Sequence, residues 1–291
     1  MSQARTIPLP HRGVLSVVGE ERRIFLQGLV SNDLNKMSET QAQWSAFLTP
    51  QGKYLHEFFV VEQGDALLLE GEAARLNDLR KRLTMYKLRA KVTIAVVEDL
   101  TVHVLLGDDL GLTEAGAAKP LGSGVVFADP RLAAAGLRAL LPRDDAAAVL
   151  TAAGFAPGDA AEYERLRLSL GLPDGSRDLV IEKSLLLENG FDELRGVDFQ
   201  KGCYMGQELT ARTKYRGLVK KRLMPVTIDG PTPEPGTLLM LNGSEAGEMR
   251  SAAGDIGLAL VRLEALGRAA VFEAGSAKVM PQRPEWMVLP G

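Results

Sequence analysis

Cysteine is nearly absent: the 291-residue chain has one, Cys203, with three histidines scattered at His11, His56 and His103. A lone cysteine excludes an intrachain disulfide. By itself it also falls short of the roughly four thiolates that hold most iron–sulfur clusters. The histidines have no metal-ligand spacing, so a resident zinc or iron site of His and Cys is not expected. His103, inside TVHVLL, reads as a strand residue. No apolar run approaches the ~18–20 residues that span a bilayer, which excludes a transmembrane helix. A glycine-rich phosphate loop, a G-x-S-x-G elbow and a C-x-x-C pair are all missing. Net charge is -3, so nothing global draws the chain toward nucleic acid. The N-terminus MSQARTIPLPHRG lacks the apolar core of a secretory signal, while its two arginines and want of acids suit a short mitochondrial targeting sequence. Cysteine usage points to a reducing compartment, the cytoplasm in a bacterium or the mitochondrial matrix in a eukaryote.

What is present suffices for a large core, with 46% hydrophobic residues spread over two or three packed units. EERRIFLQGL (20–29) predicts a short helix ending near Gly28, before the turn-prone Ser31-Asn32-Asp33. WSAFL, YLHEFFVV and ALLLE, separated by TPQGK and EQGD, predict three strands of an antiparallel meander. EAARLNDLRKRL (72–83) carries Ala73, Leu76, Leu79 and Leu83 on one helical face. AKVTIAVV, TVHVLLG, GVVFADP and GLRALLP read as further strands, and the aspartates of DDAAAVLTAA open a helix. The order strands, helix, strands, helix implies an α+β sheet of split-βαβ type. DAAEYERLRLSLG, capped by Asp159 and ended by Gly171, is another helix. Beyond Arg222 only short β segments and turns occur, predicting a small terminal β-barrel.

The stretch FQKGCYMGQELTARTKYRG (199–217) concentrates chemistry. From Lys201 to Arg222 seven cations (Lys201, Arg212, Lys214, Arg216, Lys220, Lys221 and Arg222) face the single acid Glu208, a local charge of +6. A helix starting close to Cys203 and ending at Gly217 would set the thiol at its positive end beside Lys201, favouring thiolate. Gly202 and Gly206 would let a ligand or partner approach the backbone. Two readings stand side by side: a reactive thiol or soft metal ligand, and a small buried hydrophobe. The basic run is likewise an anion site for a polyglutamate tail, phosphate or RNA backbone, or a solvated face.

KGCYMGQE followed by TAR and RG closely resembles the signature of the YgfZ family, a branch of the folate-binding, glycine-cleavage T-protein-like superfamily. The likeness extends along most of the chain: FLQGLVSNDL, FLTPQGKYLHEFFV, YKLRAKVTI and IGLALVRLE each resemble a family element. It implies a GcvT/YgfZ-like α+β fold of three units about a central opening, with tetrahydrofolate between them. On that pattern unit one is 1–43 plus 159–218, unit two a ferredoxin-like split-βαβ unit at 44–158, and the barrel 219–291.

Carried over residue by residue, Lys201, Gly202, Cys203, Tyr204, Gly206, Gln207, Glu208 and Arg212 match the signature, and Asn32-Asp33 the folate-side element. The resemblance thus implies Cys203 and Lys201 as reactive residues, the others with Lys201 as folate-binding residues, and no resident metal. One departure stands out. True T-proteins resemble G-G-x-x-D-D where this chain has Gly52-Lys53-Tyr54-Leu55-His56-Glu57, so an Asp-Asp pair has become His-Glu. A carboxylate displaced by about 1 Å can lose about 100-fold in rate, and glycine cleavage is not expected.

The function so implied is that of a folate-dependent accessory factor for iron–sulfur proteins, supporting cluster-dependent tRNA modification. Its partners would be iron–sulfur enzymes or cluster-assembly proteins, with tRNA indirect and neither membrane nor DNA involved. The residues leave open whether the thiol ligates a transiently shared cluster or exchanges sulfur or electrons. A folate-dependent aminomethyl transferase is the first alternative. A tRNA or acidic-partner binding module is the second, poorly served by a basic run with only Tyr204 and Tyr215 to stack.

Overall fold

The alternation in residues 5–18, RTIP and then RGVLSVV, builds two strands that belong to two different sheets of one unit. The computed structural model describes residues 3–267 and 271–289, and the chain divides into two units. The first comprises Met1–Leu48, Leu55–Ala160 and Leu194–Met205. Its elements are β1 (Arg5–Pro8), β2 (Arg12–Val18), α1 (Arg22–Gln27), β3 (Gln43–Leu48), β4 (Tyr54–Gln63), β5 (Ala66–Glu72) and α2 (Leu76–Lys87). β6 (Thr93–Val97), β7 (Leu100–Leu106), β8 (Ala118–Leu121), β9 (Gly124–Ala128), β10 (Leu137–Pro142), α3 (Ala146–Ala152) and β11 (Ala156–Pro157) follow. One sheet runs β3-β4-β5-β2-β6 and the other β11-β1-β7-β10-β9-β8.

The expected meander is β3-β4-β5, and α1 ends at Gly28. The boundary expected at 43/44 is not a boundary of these sheets. β2 pairs with β5 and β6, and β1 with β7, because their apolar residues complete the pattern of strands much later in the chain. Val14, Leu15 and Val17 are fully buried. The amphipathic helix sits later than 72–83: Ala73–Arg75 forms a 3-10 turn, and Leu76, Leu79 and Leu83 face the core. Among the described residues no helix is long and apolar enough to cross a membrane.

Charged side chains of the two sheets meet in a buried ionic network beside the Phe59–Phe127 contact. Glu70 accepts from Arg12 Nε at 2.7 Å and from Arg138 Nε at 2.6 Å. Glu57 accepts from Arg12 at 2.5 Å and from Trp44 Nε1 at 2.6 Å. Asp129 holds Arg131 at 2.7 Å and Arg138 at 3.7 Å. Phe59 lies under the Arg138 and Arg131 guanidinium groups, 4.1 and 4.8 Å from ring centroid to carbon. Three cations meet three carboxylates, so neither sign is left uncompensated in a region where an unpaired charge would be very costly.

His56, next to Glu57, is buried and its Nε2 lies 2.9 Å from Asp78. Burial, with Arg75 adding repulsion, pushes its pKa down to about 4 despite the Asp78 hydrogen bond. The native histidine is therefore neutral where the unfolded one, near 6.5, takes up a proton. That contribution to stability is complete above pH 6.5 and is lost as the pH falls toward 4. Urea denaturation should show about 2 kcal/mol less stability at pH 5 than at pH 7, and His56→Gln should remove most of that difference. An equal pH dependence in the variant would refute the assignment.

The second unit comprises Thr49–Tyr54, Ala161–Glu193 and Gly206–Gly291. It contains α4 (Ala160–Leu170, of which Ala160 belongs to the first unit), α5 (Gln207–Tyr215) and the strands β12 (Lys221–Asp229), β13 (Leu238–Leu241), β14 (Ser244–Ala253), β15 (Ile256–Arg262), β16 (Phe272–Ala274) and β17 (Ala277–Pro281). These strands close into a barrel in the order β12-β15-β14-β13-β16-β17, around Met224, Val226, Met249, Phe272 and Met287. α4 is fastened to it through Arg167, which is buried and bonds Asp178 at 2.8 Å, while Asp178 accepts from Ser251 of β14 at 2.5 Å. The turn TPQGK packs on the start of α5. Gly52 has φ +77, and a Cβ there would stand 2.6 Å from Gly206 O and 2.8 Å from the Leu209 Cβ, so only glycine fits.

Candidate functional site

The end of α1 and the segment 195–205 meet through main-chain carbonyls. α1 is too short to satisfy its own C-terminal acceptors, and Lys201 supplies what is missing. Its ammonium donates to Gln27 O at 2.8 Å and Val30 O at 2.5 Å, and lies 5.0 Å from the Tyr204 ring centroid. Burial pushes the Lys201 pKa down to about 8, against the raising influence of Asp33 and Asp198. Met205 N donates to Gly28 O at 3.1 Å. Tyr204 is buried, whereas Cys203 between these anchors is exposed.

The thiol is therefore not a buried hydrophobe. Nor does it stand at a helix N-terminus. α5 begins at Gln207, four residues later, because Gly206 at φ +81 occupies the N-cap in a left-handed conformation that the helix interior does not admit. Cys203 sits on a short pinned loop, and a Cβ at Gly202 would meet nothing within 4 Å. The exposed Glu208 and the late Arg212 and Lys214 do match the helix dipole, and Gly217 at φ +61 follows the cap residue Arg216.

Asn32 is spent on structure. Its Nδ2 donates to Trp44 O at 2.8 Å and Arg195 O at 2.7 Å, and its Oδ1 accepts from Asp33 N at 2.9 Å. Asp33 accepts from Gln27 Nε2 at 2.8 Å and caps the following 3-10 turn. Asn32, Asp33, Lys201 and Cys203 thus belong to one unit, while Gly206, Gln207, Glu208 and Arg212 belong to the other. Glu57 is buried with both oxygens engaged by Arg12 and Trp44.

The basic run is less free than its +6 suggests. Lys201 is consumed at α1, Lys214 pairs with Asp192, and Arg222 is buried against Glu193 at 2.7 Å and Leu187 O at 3.2 Å. Arg212, Arg216 and Lys220 are exposed. One acid was not singled out by the sequence: Glu188, in LLLENG, is half-buried, and burial raises its pKa despite Lys221, Lys53 and hydrogen bonds from the Lys220 and Lys221 amides. No periodicity or motif marks it.

Comparison with known proteins supplies the context. Residues 220–289 match the family described as the CAF17 C-terminal β-barrel domain. The glycine cleavage system aminomethyltransferase T from Bartonella henselae superposes with a TM-score of 0.78 over 98% of this chain and 86% of that one, at 14% identity, a likeness of fold. The mitochondrial iron–sulfur cluster assembly factor IBA57 of Mus musculus is 34% identical over 283 residues, 89% of this chain and 77% of that protein. Its Homo sapiens counterpart is 34% identical over 276 residues, 87% of this chain and 76% of that protein. With such identity sustained over three-quarters of those relatives, the chain belongs to the IBA57 family of iron–sulfur cluster assembly factors.

Proposed function

We propose that this protein is a folate-dependent accessory factor which lends Cys203 as one ligand to a cluster carried by a partner, and so serves iron–sulfur enzymes, including those that modify tRNA. The observation that carries this reading is the placement of the only thiol. Cys203 is exposed, while Lys201 and Met205 on either side of it are bonded to the end of α1 and Tyr204 lies against the Lys201 ammonium. A residue so presented can reach a second protein with little ordering cost. The step is ligation: the thiol releases its proton to solvent, Sγ coordinates an iron ion of the cargo cluster, and no electron is exchanged. One thiolate cannot hold a cluster, so the remaining ligands come from the partner.

Two of the residues expected to bind folate are taken up by the fold, and an acid outside that set suits the ligand better. Asn32 and Lys201 are committed to main-chain carbonyls and do not fit a ligand. Glu188 does, since a half-buried carboxyl with a raised pKa can share a proton with the aminopyrimidine edge of a pterin. Glu188→Ala should weaken reduced-folate binding about tenfold or more in calorimetric titration, an effect consistent with losing a charge-assisted hydrogen bond. Unchanged affinity would remove Glu188 from the folate site. The aminomethyl transferase reading is disfavoured by the engaged Glu57, and the tRNA module by the pairing within the basic run. The working compartment would be the mitochondrial matrix in a eukaryote and the cytoplasm in a bacterium.

The test is complementation. In cells lacking the gene, a Cys203→Ala chain should fail to restore a cluster-dependent tRNA methylthiolation that the wild type restores. Full restoration would overturn the proposal.

A further inference from the structure

The end of α2 exposes what its beginning buries. Leu76, Leu79 and Leu83 face the core, but Met85 is 68% and Leu88 89% exposed, and Ile24 on α1 is 76% exposed. Spacing places Lys81 and Met85 on one helical face, and Leu88 is the residue that ends the helix. Leu88 takes φ +45 and ψ -109, a conformation strained for a γ-branched residue, in ending the helix. A strained backbone holding a leucine in water calls for a reason other than folding. The surrounding stretch 80–91 carries Arg80, Lys81, Arg82, Lys87, Arg89 and Lys91 and no acid of its own, with Arg82 paired to Asp78 and Lys91 3.7 Å from Glu20.

Packing contacts inside the same unit link this face to the Cys203 loop. The Tyr86 ring meets Phe47 edge-on at 6.1 Å, Phe47 bridges Val30, and Val30 O accepts from Lys201. Lys91 N donates to Glu21 at the head of α1 at 2.5 Å. Phe25, Ala90 and Met205 are all half-buried margins of one apolar core; Phe25 is next to Ile24 in the chain, and Ala90 and Met205 each lie two positions from Leu88 and Cys203.

We propose that Ile24, Met85 and Leu88, with Lys87, Arg89 and Lys91 around them, dock an acidic protein that bears the iron–sulfur cluster and bring its cluster to Cys203. This rests on the reading of Cys203 above and adds where the partner sits. The partner's chemistry follows from complementarity: an acidic rim for the cations, and apolar side chains to cover Met85 and Leu88. Nucleic acid is a poor match, because the one aromatic ring here is edge-packed on Phe47. A membrane is a poor match too, because the leucine face of α2 points inward and only three apolar side chains remain.

The test uses full-length protein. Leu88→Glu combined with Arg89→Glu, checked for an unchanged thermal midpoint, should lower the restored methylthiolation about tenfold in cells lacking the gene. Overexpression should recover much of it, as for weakened docking, whereas Cys203→Ala should stay inactive at any level. A photocrosslinking residue at position 88, and separately at 203, should capture one and the same protein, identified as an acidic iron–sulfur protein. Full activity of the double variant, no adduct at 88, or different partners at the two positions would overturn the docking face while leaving the Cys203 reading intact. Sedimentation with vesicles of equal phosphatidylcholine and phosphatidylglycerol, lost in the double variant, would assign the face to a membrane and overturn it likewise. Full activity of Cys203→Ala would instead sink the underlying reading.

Discussion

Glu70→Gln is expected to destabilise the protein by about 3–5 kcal/mol, the usual consequence of removing one partner from a fully buried ion pair. The glutamine keeps the shape of the side chain and loses the charge, so packing is nearly constant and electrostatics is what changes. Arg12 and Arg138 bind the two Glu70 oxygens at 2.6–2.8 Å, and all three side chains are buried. The variant would leave two guanidinium groups facing each other across the sheets, with only Glu57 and Asp129 to balance three arginines. Urea denaturation at pH 7 measures the loss. A change under 1 kcal/mol would mean that the network is hydrated enough to screen itself. Arg12→Met and Arg138→Met combined with Glu57→Gln and Glu70→Leu should recover most of the stability, because only the Arg131–Asp129 pair then remains and no orphan charge is left.

The same carboxylates extend the acid sensitivity introduced by His56. Burial alone would raise Glu70 and Asp129, but Arg138 and Arg12 hold Glu70, and Arg131 and Arg138 hold Asp129, below their ordinary values. Their contribution is present above the unfolded carboxylate range and is lost as the pH falls through the depressed native values. Acid unfolding should therefore have two limbs, a histidine limb between pH 6.5 and 4 and a carboxylate limb below it. Glu70→Gln should flatten only the second.

Much of this architecture was legible because its signals are local. The meander declares itself by turn residues between β-rich runs, the barrel by short strands with no helical period, and α4 by an aspartate before it and a glycine after it. The missed features are non-local. β1 and β2 are read as strands only once their partners at 66–72, 93–106 and 156–157 are known. Arg12, Glu57, Glu70 and Arg138 look like surface charges in sequence, since nothing in a one-dimensional pattern says that they will find one another. The candidate site divides the same way. Cys203 and Lys201 were found from an unusual local setting, but the role of Lys201 was not, because its acceptors are carbonyls 171 and 174 positions away. The start of α5 was misplaced by four residues because a glycine is permissive, and only its observed φ shows that Gly206 ends the loop instead of joining the helix.

Cys203→Ala should separate stability from function more cleanly than any other single change in the chain. The thiol is exposed and no hydrogen bond or ion pair involving it is found among the described residues, so denaturation midpoints should agree with wild type to within about 0.5 kcal/mol. In cells lacking the gene, restored cluster-dependent methylthiolation should nevertheless fall about tenfold or more, since loss of a metal ligand is at least as damaging as the roughly 10- to 100-fold cost of disturbing ligand support. Cys203→Ser sharpens the point, because it preserves size and hydrogen bonding but replaces a soft thiolate with a poor iron ligand. It should behave like alanine if the role is ligation, and like wild type if the residue only fills space at an interface. Lys201→Met gives the third comparison. It removes the two donors that fix the loop to α1 while leaving the thiol in place, so its defect should be partial and accompanied by a measurable loss of stability. A stable, fully active Cys203→Ala protein beside a defective Lys201→Met would shift the function from the thiol to the loop that carries it.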